Sequence, residues 1–368
     1  MTNSELKERL TDTIALLSIP GVGKARFRKL VEKFGSPSAA LEAPVSELES
    51  LPNLPRKVAS AIRECADIDE ARRIAARVVQ LGWSALFPGD PEFPTSLTRI
   101  PDPPALLFRM GAPLSADEKL IGIVGTRHAT ESGRRFTYKL ACDLTRAGIT
   151  VVSGMAEGID SYAHQGAIDA GGQTIAVWGT SLDIVYPSLN RQLAEQIVQH
   201  GAVYSEYLPD TGPDRAFFPE RNRIISGLSE GVIVVEAGEK SGALITAQHA
   251  LEQGKELFGV PGPPDAERSR GTNKLIAGGA RLLTSVDDIF DELPRLKGQV
   301  AARQFTRRAD ITESEQKLVT LLGDGPLQVD ELGRLASLSV SEIMELLLAL
   351  ELKGVVQELS GKRYVLSQ

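Results

Sequence analysis

Two apolar runs joined by one helical segment constrain this chain more than any other part of it. Leu120-Ile121-Gly122-Ile123-Val124 ends in Gly125-Thr126-Arg127-His128-Ala129-Thr130, and Ser132 to Ala147 follows with helical character, broken by Gly148. Ile149-Thr150-Val151-Val152 then ends in Ser153-Gly154-Met155-Ala156-Glu157-Gly158-Ile159-Asp160. Strand, small-residue turn, helix, strand, small-residue turn is a βαβ unit on a parallel sheet. Ligands of such sheets sit beyond the carboxyl ends of the strands, where helix N-termini aim free N–H groups outward. Both turns lie at such ends, and both consist of residues that let a phosphate approach the backbone. Arg127 adds a fixed fork of donors suited to phosphate. Ordinary tight turns of an α/β fold are the alternative.

A chain of 368 residues exceeds one ordinary core, so two or three domains are expected. No apolar run approaches the roughly 18 residues of a membrane span, and the polar start Met1-Thr2-Asn3-Ser4-Glu5 carries no signal peptide pattern. Cys65 and Cys142 lie far apart without metal-type spacing, which suits a reduced, cytoplasmic protein. The net charge of -7 argues against nonspecific binding of nucleic acid by the whole surface, though not against a local basic groove.

Residues 1–81 read as an all-helical domain. Ile19-Pro20-Gly21-Val22-Gly23-Lys24 before the helix Ala25 to Phe34 resembles a helix-hairpin-helix (SAM-like) motif, whose glycines admit a phosphate. A second copy, Leu51-Pro52-Asn53-Leu54-Pro55, lacks both glycines and reads as structural. The first copy serves either DNA contact or packing. The Pro-rich stretch from 82 to 118 reads as an ordered connector with an added edge strand at Ala105-Leu106-Leu107-Phe108. The core occupies 82–292: apolar strands alternate with helices through Thr174 to Trp178, Ala202 to Glu206, Gly231 to Val235, Glu256 to Val260 and Arg281 to Leu283, a sheet covered on both faces. A linker spans 293–310. Residues 311–368 show three helical segments and a hairpin, Val355 to Leu359 and Arg363 to Leu366 around Ser360-Gly361-Lys362, which is a winged-helix pattern. Its recognition helix carries Glu342, Glu345 and Glu351, so a protein contact is favoured over reading of the major groove. The fold class is α/β: an extended Rossmann-like parallel sheet with helical and winged-helix domains at its ends.

Chemistry is sparse. Four histidines are present, His128, His164, His200 and His249, and His164 shares a helix face with Asp160. That pair reads as an acid–base couple or as a tie between helix and turn, the tie being favoured because no Ser or Cys elbow accompanies it. No GxxxxGK[ST] and no GxGxxG occur. Basic residues cluster near strand ends: Arg127, Arg191, Arg215, Arg221, Arg223 and Lys240, with Phe217 and Phe218 among them. Cations with interleaved aromatics suit single-stranded nucleic acid. The alternative is a set of salt bridges to Glu206, Glu220 and Glu236, with the phenylalanines in the core.

Several motifs together resemble the DNA-processing protein DprA (Smf) family. They are Ile123-Val124-Gly125-Thr126-Arg127, Ser153 to Asp160 with His164, Tyr186-Pro187 with Asn190, Ser205-Glu206-Tyr207, Val235-Glu236-Ala237 and Val260-Pro261-Gly262. Phe218-Pro219-Glu220-Arg221-Asn222-Arg223-Ile224-Ile225-Ser226-Gly227-Leu228 is the most specific of them. The resemblance is dense from about 85 to 292. It implies a non-enzymatic protein that binds and protects single-stranded DNA and helps load the RecA recombinase in natural transformation; no cofactor and no metal are expected. It implies a phosphate pocket of Gly125, Arg127, Ser153, Gly154 and Met155. The remaining DNA contacts expected are Thr126, Arg191, Arg215, Phe218, Arg221, Asn222, Arg223 and Lys240. Arg215 stands where members carry a lysine. Ser188 replaces another member lysine, for which Arg191 is the expected substitute. Leu275, Ile276 and Leu282 are expected at a homodimer interface. The alternative from another class is a nucleotide phosphoribohydrolase, suggested by Glu236-Ala237-Gly238 with Ser241-Gly242 and Thr246.

Overall fold

A computed structural model describes residues 3–115, 117–299, 312–322, 327–336, 338–352, 355–359 and 363–366. They divide into two units, Met1–Val300 and Ala301–Gln368. Arg303, Arg307 and Arg308 of the expected linker, Gly354 and the hairpin turn Ser360-Gly361-Lys362 lie outside the described residues.

Six helices open the first unit: α1 (Asn3–Ser18), α2 (Lys24–Phe34), α3 (Pro37–Glu42), α4 (Val45–Glu49), α5 (Arg56–Glu64) and α6 (Ile68–Gln80). The two hairpins expected from the sequence are both formed. Gly21 adopts φ 91 in the first, and Asn53 adopts φ 64 at the matching place in the second. Asparagine tolerates this left-handed region, so the missing glycine does not prevent the turn. The first hairpin packs inward. A Cβ on Gly21 would lie 2.8 Å from Val58 Cγ2 on α5, and Lys24 Nζ donates to Glu206 Oε2 at 3.2 Å.

The sheet follows. Its strands are β1 (Ser84–Leu86), β2 (Leu107–Gly111), β3 (Leu120–Val124), β4 (Thr150–Ser153), β5 (Thr174–Val177), β6 (Ala202–Ser205), β7 (Gly231–Val234), β8 (Glu256–Gly259) and β9 (Arg281–Leu282). They lie in the order β1-β2-β6-β5-β4-β3-β7-β8-β9. From β6 to β9 all pairings are parallel, while β1 and β2 are antiparallel additions at one edge. The edge strand expected at Ala105 to Phe108 begins two residues later, and β1 carried no sequence signal because three residues show no period.

Helices α7 (Glu131–Arg146), α8 (Ile159–Asp169), α9 (Arg191–His200), α10 (Phe217–Leu228), α11 (Ala243–Glu252), α12 (Glu267–Ala277) and α13 (Val286–Glu292) complete the core. Alternate strand residues feed two apolar layers. Ile121 and Ile123 pack with Leu140 and Leu144 of α7, whereas Leu120 and Val124 pack with Ile224, Ile225 and Leu228 of α10. A third cluster joins Leu10 and Ile14 of α1 and Val78 of α6 to Trp83, Phe108 and Val203, so the helical segment and the sheet share one interior. The expected linker starts inside the unit: a 3₁₀ turn, Pro294–Gln299, buries Leu296.

Because β3 is followed leftwards by β4, β5 and β6, while β7, β8 and β9 lie on its other side, chain direction across the sheet reverses between β3 and β7. Crevices form at such reversals.

The second unit contains α14 (Glu313–Leu322), β10 (Leu327–Gln328), α15 (Val329–Ala336), α16 (Val340–Leu352), β11 (Val356–Leu359) and β12 (Arg363–Leu366). Ile343, Leu347 and Leu350 of α16 are buried, and the strands pair in the order β10-β12-β11. This is the winged-helix arrangement, with β10 an addition to the expected hairpin.

Gly21→Ala is expected to lose roughly 1–3 kcal/mol in urea denaturation, because it adds a strained φ to the collision with Val58. Gly23, at φ -81 with open space around it, should accept alanine with a change under about 1 kcal/mol.

Candidate nucleic-acid interface

The turns after β3 and β4 meet at the carboxyl edge of the sheet. Ile159 N–H donates to Thr126 O at 3.2 Å, and a Cβ on Gly158 would lie 2.4 Å from that same oxygen. Glycine is required there by close backbone approach, and Gly125 leaves room for the Ile159 side chain in the same way.

Internal carboxylates already bond backbone N–H groups at both turns that the sequence offers to phosphate. Glu236, just beyond β7, accepts from Thr130 N–H at 2.9 Å and from the Thr130 hydroxyl, which caps the start of α7. A Cβ on Gly133 would lie 2.5 Å from the Glu236 carboxyl carbon, so a glycine in the first turn of α7 makes room for it. Asp160 accepts from Gly154 N–H at 3.2 Å and Ala156 N–H at 3.4 Å. Its counterion is Arg221, whose Nη1 donates to Gly154 O at 2.9 Å and to Val177 O. Burial raises the Asp160 carboxyl to about 6 against the pull of Arg221, and burial lowers the Arg221 guanidinium to about 10.

These bonds change the expected part of several residues. Ser153, Gly154 and Met155 are buried: Ser153 Oγ donates to Ile123 O, and Met155 takes φ 58 within the turn. They build the turn and do not line an open pocket. Helix α10 begins four residues before Arg221, which places Arg221, Asn222 and Arg223 inside it, all buried. Arg223 forms a two-pronged pair with Glu206 at 2.7 Å and reaches Asp102 at 2.9 Å; Asn222 donates to Gly242 O. Their donors point inward, as in the salt-bridge alternative.

A second group does lie on the surface. The Arg127 guanidinium stands 5.4 Å from the centre of the Phe218 ring, and Phe218 packs at 5.4 Å against Tyr186, which is 39% exposed. Gly179 supports this row, since a Cβ there would lie 2.8 Å from Phe218 Cδ1. Asn190 fixes the loop that carries Tyr186: its Nδ2 donates to Met155 O at 2.9 Å and to Ser161 Oγ at 3.0 Å. Arg191, at the start of α9, and Arg215, before α10, are exposed. Among the described residues no ion pair engages Arg127, Arg191 or Arg215. A cation over an aromatic row suits a charged backbone and stacked bases. Tyr186 and Gly179 were not singled out as contacts from the sequence; a Tyr-Pro pair and a glycine after successive strands were the available signals.

Thr126 and Lys240 face elsewhere, into a cleft between the ends of β3, β7 and β8. Leu275 and Ile276 are half-buried on α12, and Leu282 on the edge strand β9 is 49% exposed. Asp160 and His164 each bind the sheet separately, for His164 Nδ1 meets Thr174 Oγ1 at 2.7 Å.

A nine-stranded Rossmann-like sheet whose carboxyl edge carries a cation–aromatic row defines a class of nucleotide- or polynucleotide-binding α/β proteins. Comparison with known proteins narrows it. The family described as DNA recombination-mediator protein A matches residues 84–294, the DprA winged helix domain matches 306–362, and the SAM-like helix-hairpin-helix tandem matches 13–67. Protein Smf of Synechocystis is 36% identical over 76% of this chain and 79% of its own length. DNA processing protein DprA of Bacillus subtilis is 42% identical over 70% of this chain and 87% of its own. The structure of DprA from Streptococcus pneumoniae superposes with a TM-score of 0.64 at 32% identity, over 79% of this chain and 98% of that one. DNA processing protein A from Helicobacter pylori, described with a single-stranded DNA binding mode, gives 0.53 at 32% identity, over 58% and 96%. The chain belongs to the DprA (Smf) family.

The buried ring of His164 is held neutral, its pKa lowered to about 3 by burial and then by the Arg221 charge. The unfolded ring takes up its proton near 6.5, so this group's contribution to stability is complete above that pH and is lost as pH falls towards 3. Asp160 acts with the opposite sign: its contribution is fully present below about 4 and is lost as pH rises through 6. Between pH 7 and pH 5 the His164 contribution is expected to fall by about 2 kcal/mol. Because Asp160 offsets much of that fall over the same range, the readout is the difference between chains: in urea denaturation the stability of the native chain relative to His164→Gln should drop by about 2 kcal/mol from pH 7 to pH 5.

Proposed function

We propose that this protein binds single-stranded DNA at the row formed by Arg127, Phe218 and Tyr186, without catalysing a reaction on it. The observation that carries this reading is the guanidinium over a tilted aromatic pair at the carboxyl edge of a parallel sheet. Arg191 and Arg215 supply backbone charge, and the rings supply sequence-tolerant stacking. The single-stranded DNA binding named for the Helicobacter pylori relative supports the same ligand.

The family resemblance extends the proposal. The bound strand is protected and passed to RecA during transformation or recombination in the cytoplasm. A homodimer through Leu275, Ile276 and Leu282 would join two rows on one strand and raise affinity through effective concentration. No helix among the described residues is long and apolar enough to cross a membrane. The outer face of α16 carries Glu342, Glu345 and Glu351 beside exposed Val340, Met344 and Leu348, which supports a protein-contact role for the winged helix. The segments 1–81, 82–292 and 311–368 remain the proposed division of labour.

Fluorescence anisotropy with a labelled single strand across a salt series tests the central claim. Arg127→Ala and Phe218→Ala should each weaken binding about tenfold or more, and Arg127→Ala should also flatten the salt dependence by about 0.7 in log–log slope. Equal affinity for single and double strands, or variants that bind as the native chain does, would overturn it. Release of free base from a mononucleotide would favour the phosphoribohydrolase alternative.

A further inference from the structure

We propose that the cleft between the ends of β3, β7 and β8 is a separate site for a single nucleotide, a nucleoside 5′-monophosphate group. This inference does not depend on strand binding at the aromatic row. The cleft has a volume of about 1220 Å³ and lies where chain direction reverses across the sheet, between β3 and β7.

The chemistry of its walls is graded. The Glu236 carboxylate lines it and is fixed by the Thr130 N–H and hydroxyl. A carboxylate oxygen with one hydrogen bond retains acceptor capacity, so this part repels phosphate and accepts from hydroxyl or amino groups. The half-buried Phe136 and Val260 contribute apolar surface suited to a flat ring. Arg268, Arg270, Lys240 and His128 also line the cleft, and all four are exposed. None of these four has an ion-pair partner among the described residues. The fixed cations among them, Arg268, Arg270 and Lys240, share the cleft with the exposed carboxylates Glu239 and Glu267 and with Glu236. One ligand therefore fits all three parts: donors for Glu236, a ring for the apolar wall and a phosphate for the arginines. Inorganic phosphate satisfies only the last.

The walls are also held in place before any ligand arrives. Asn273 clamps the turn after β8, donating to Gly262 O at 2.9 Å and accepting from Gly262 N–H at 3.2 Å. Ala237 N–H donates to Arg268 O at 2.7 Å, and Gly271 N–H donates to Ala237 O at 2.8 Å. A Cβ on Gly271 would lie 2.6 Å from that oxygen, so this contact needs glycine. Binding then costs little ordering of the protein.

The nucleotide has two sources, a free mononucleotide or the 5′-phosphorylated end of a strand. Calorimetric titration of the full chain with AMP, adenosine and inorganic phosphate covers the first. Competition between 5′-phosphorylated and 5′-hydroxyl oligonucleotides covers the second. Binding to circular single-stranded DNA, which has no ends, reports the aromatic row alone. The site predicts that AMP binds about tenfold or more tightly than adenosine or phosphate, or that a 5′-phosphate improves oligonucleotide binding by that factor. In either case the gain should disappear in the surface double variant Arg268→Ala/Arg270→Ala while circular DNA is still bound. Absence of both gains, or gains that survive the double variant, would overturn the proposal. Failure of the aromatic row would instead appear as circular DNA binding that ignores Arg127→Ala.

Discussion

The carboxyl edge of the sheet depends on the buried guanidinium of Arg221. It bonds the carbonyls of Gly154 after β4 and Val177 at the end of β5, and it neutralises Asp160, which ties α8 to the turn. Two charges taken out of water are held by each other, by backbone dipoles and, for Arg221, by the Asn222 side chain, so loss of either leaves the other without its counter-charge in the interior, at a cost of about 3–5 kcal/mol. Every surface group of the interface stands on this framework. Arg127 follows the turn that packs on Gly158, and Phe218 sits three residues before Arg221 on the same helix.

A second charged node joins the helical segment to the sheet. Glu206 receives Arg223 from α10 and Lys24 from the first hairpin, and Arg223 also reaches Asp102 in the Pro-rich connector. Lys24 and Gly21 are the hairpin residues that either DNA contact or packing would use. One is committed to this node and the other to Val58. The hairpin thus works as a packing device on the α/β core, whose apolar interior it shares through Leu10, Ile14 and Val78.

Filling both small-residue turns with internal carboxylates has a functional consequence. A helix N-terminus whose cap residue Thr130 is already held by Glu236, or a turn already occupied by Asp160, has less to gain from a phosphate. In the proposed function, binding therefore falls to side chains further out: a guanidinium, two rings and exposed cations. Side-chain stacking with screened charge suits a flexible strand read without regard to sequence, whereas a backbone cradle suits one fixed phosphate.

The sequence by itself determined the alternation of apolar strands and helices, the two hairpins, the winged-helix pattern and the family. Each rests on local periodicity or on contiguous motifs, which a linear chain displays. Arg127 and Phe218 were also legible as candidates, because a cation at a strand end and an aromatic among cations are local signals. Only the tertiary structure decided which arginines face solvent. Arg221 and Arg223 read the same as Arg215 in sequence, yet α10 starts early enough to turn them towards Asp160 and Glu206, residues distant along the chain. Tyr186 joined the site for the same reason, since its ring meets Phe218 across 32 positions, from 186 to 218. Burial and charge pairing are properties of contacts between distant segments, and composition or spacing does not encode them one residue at a time.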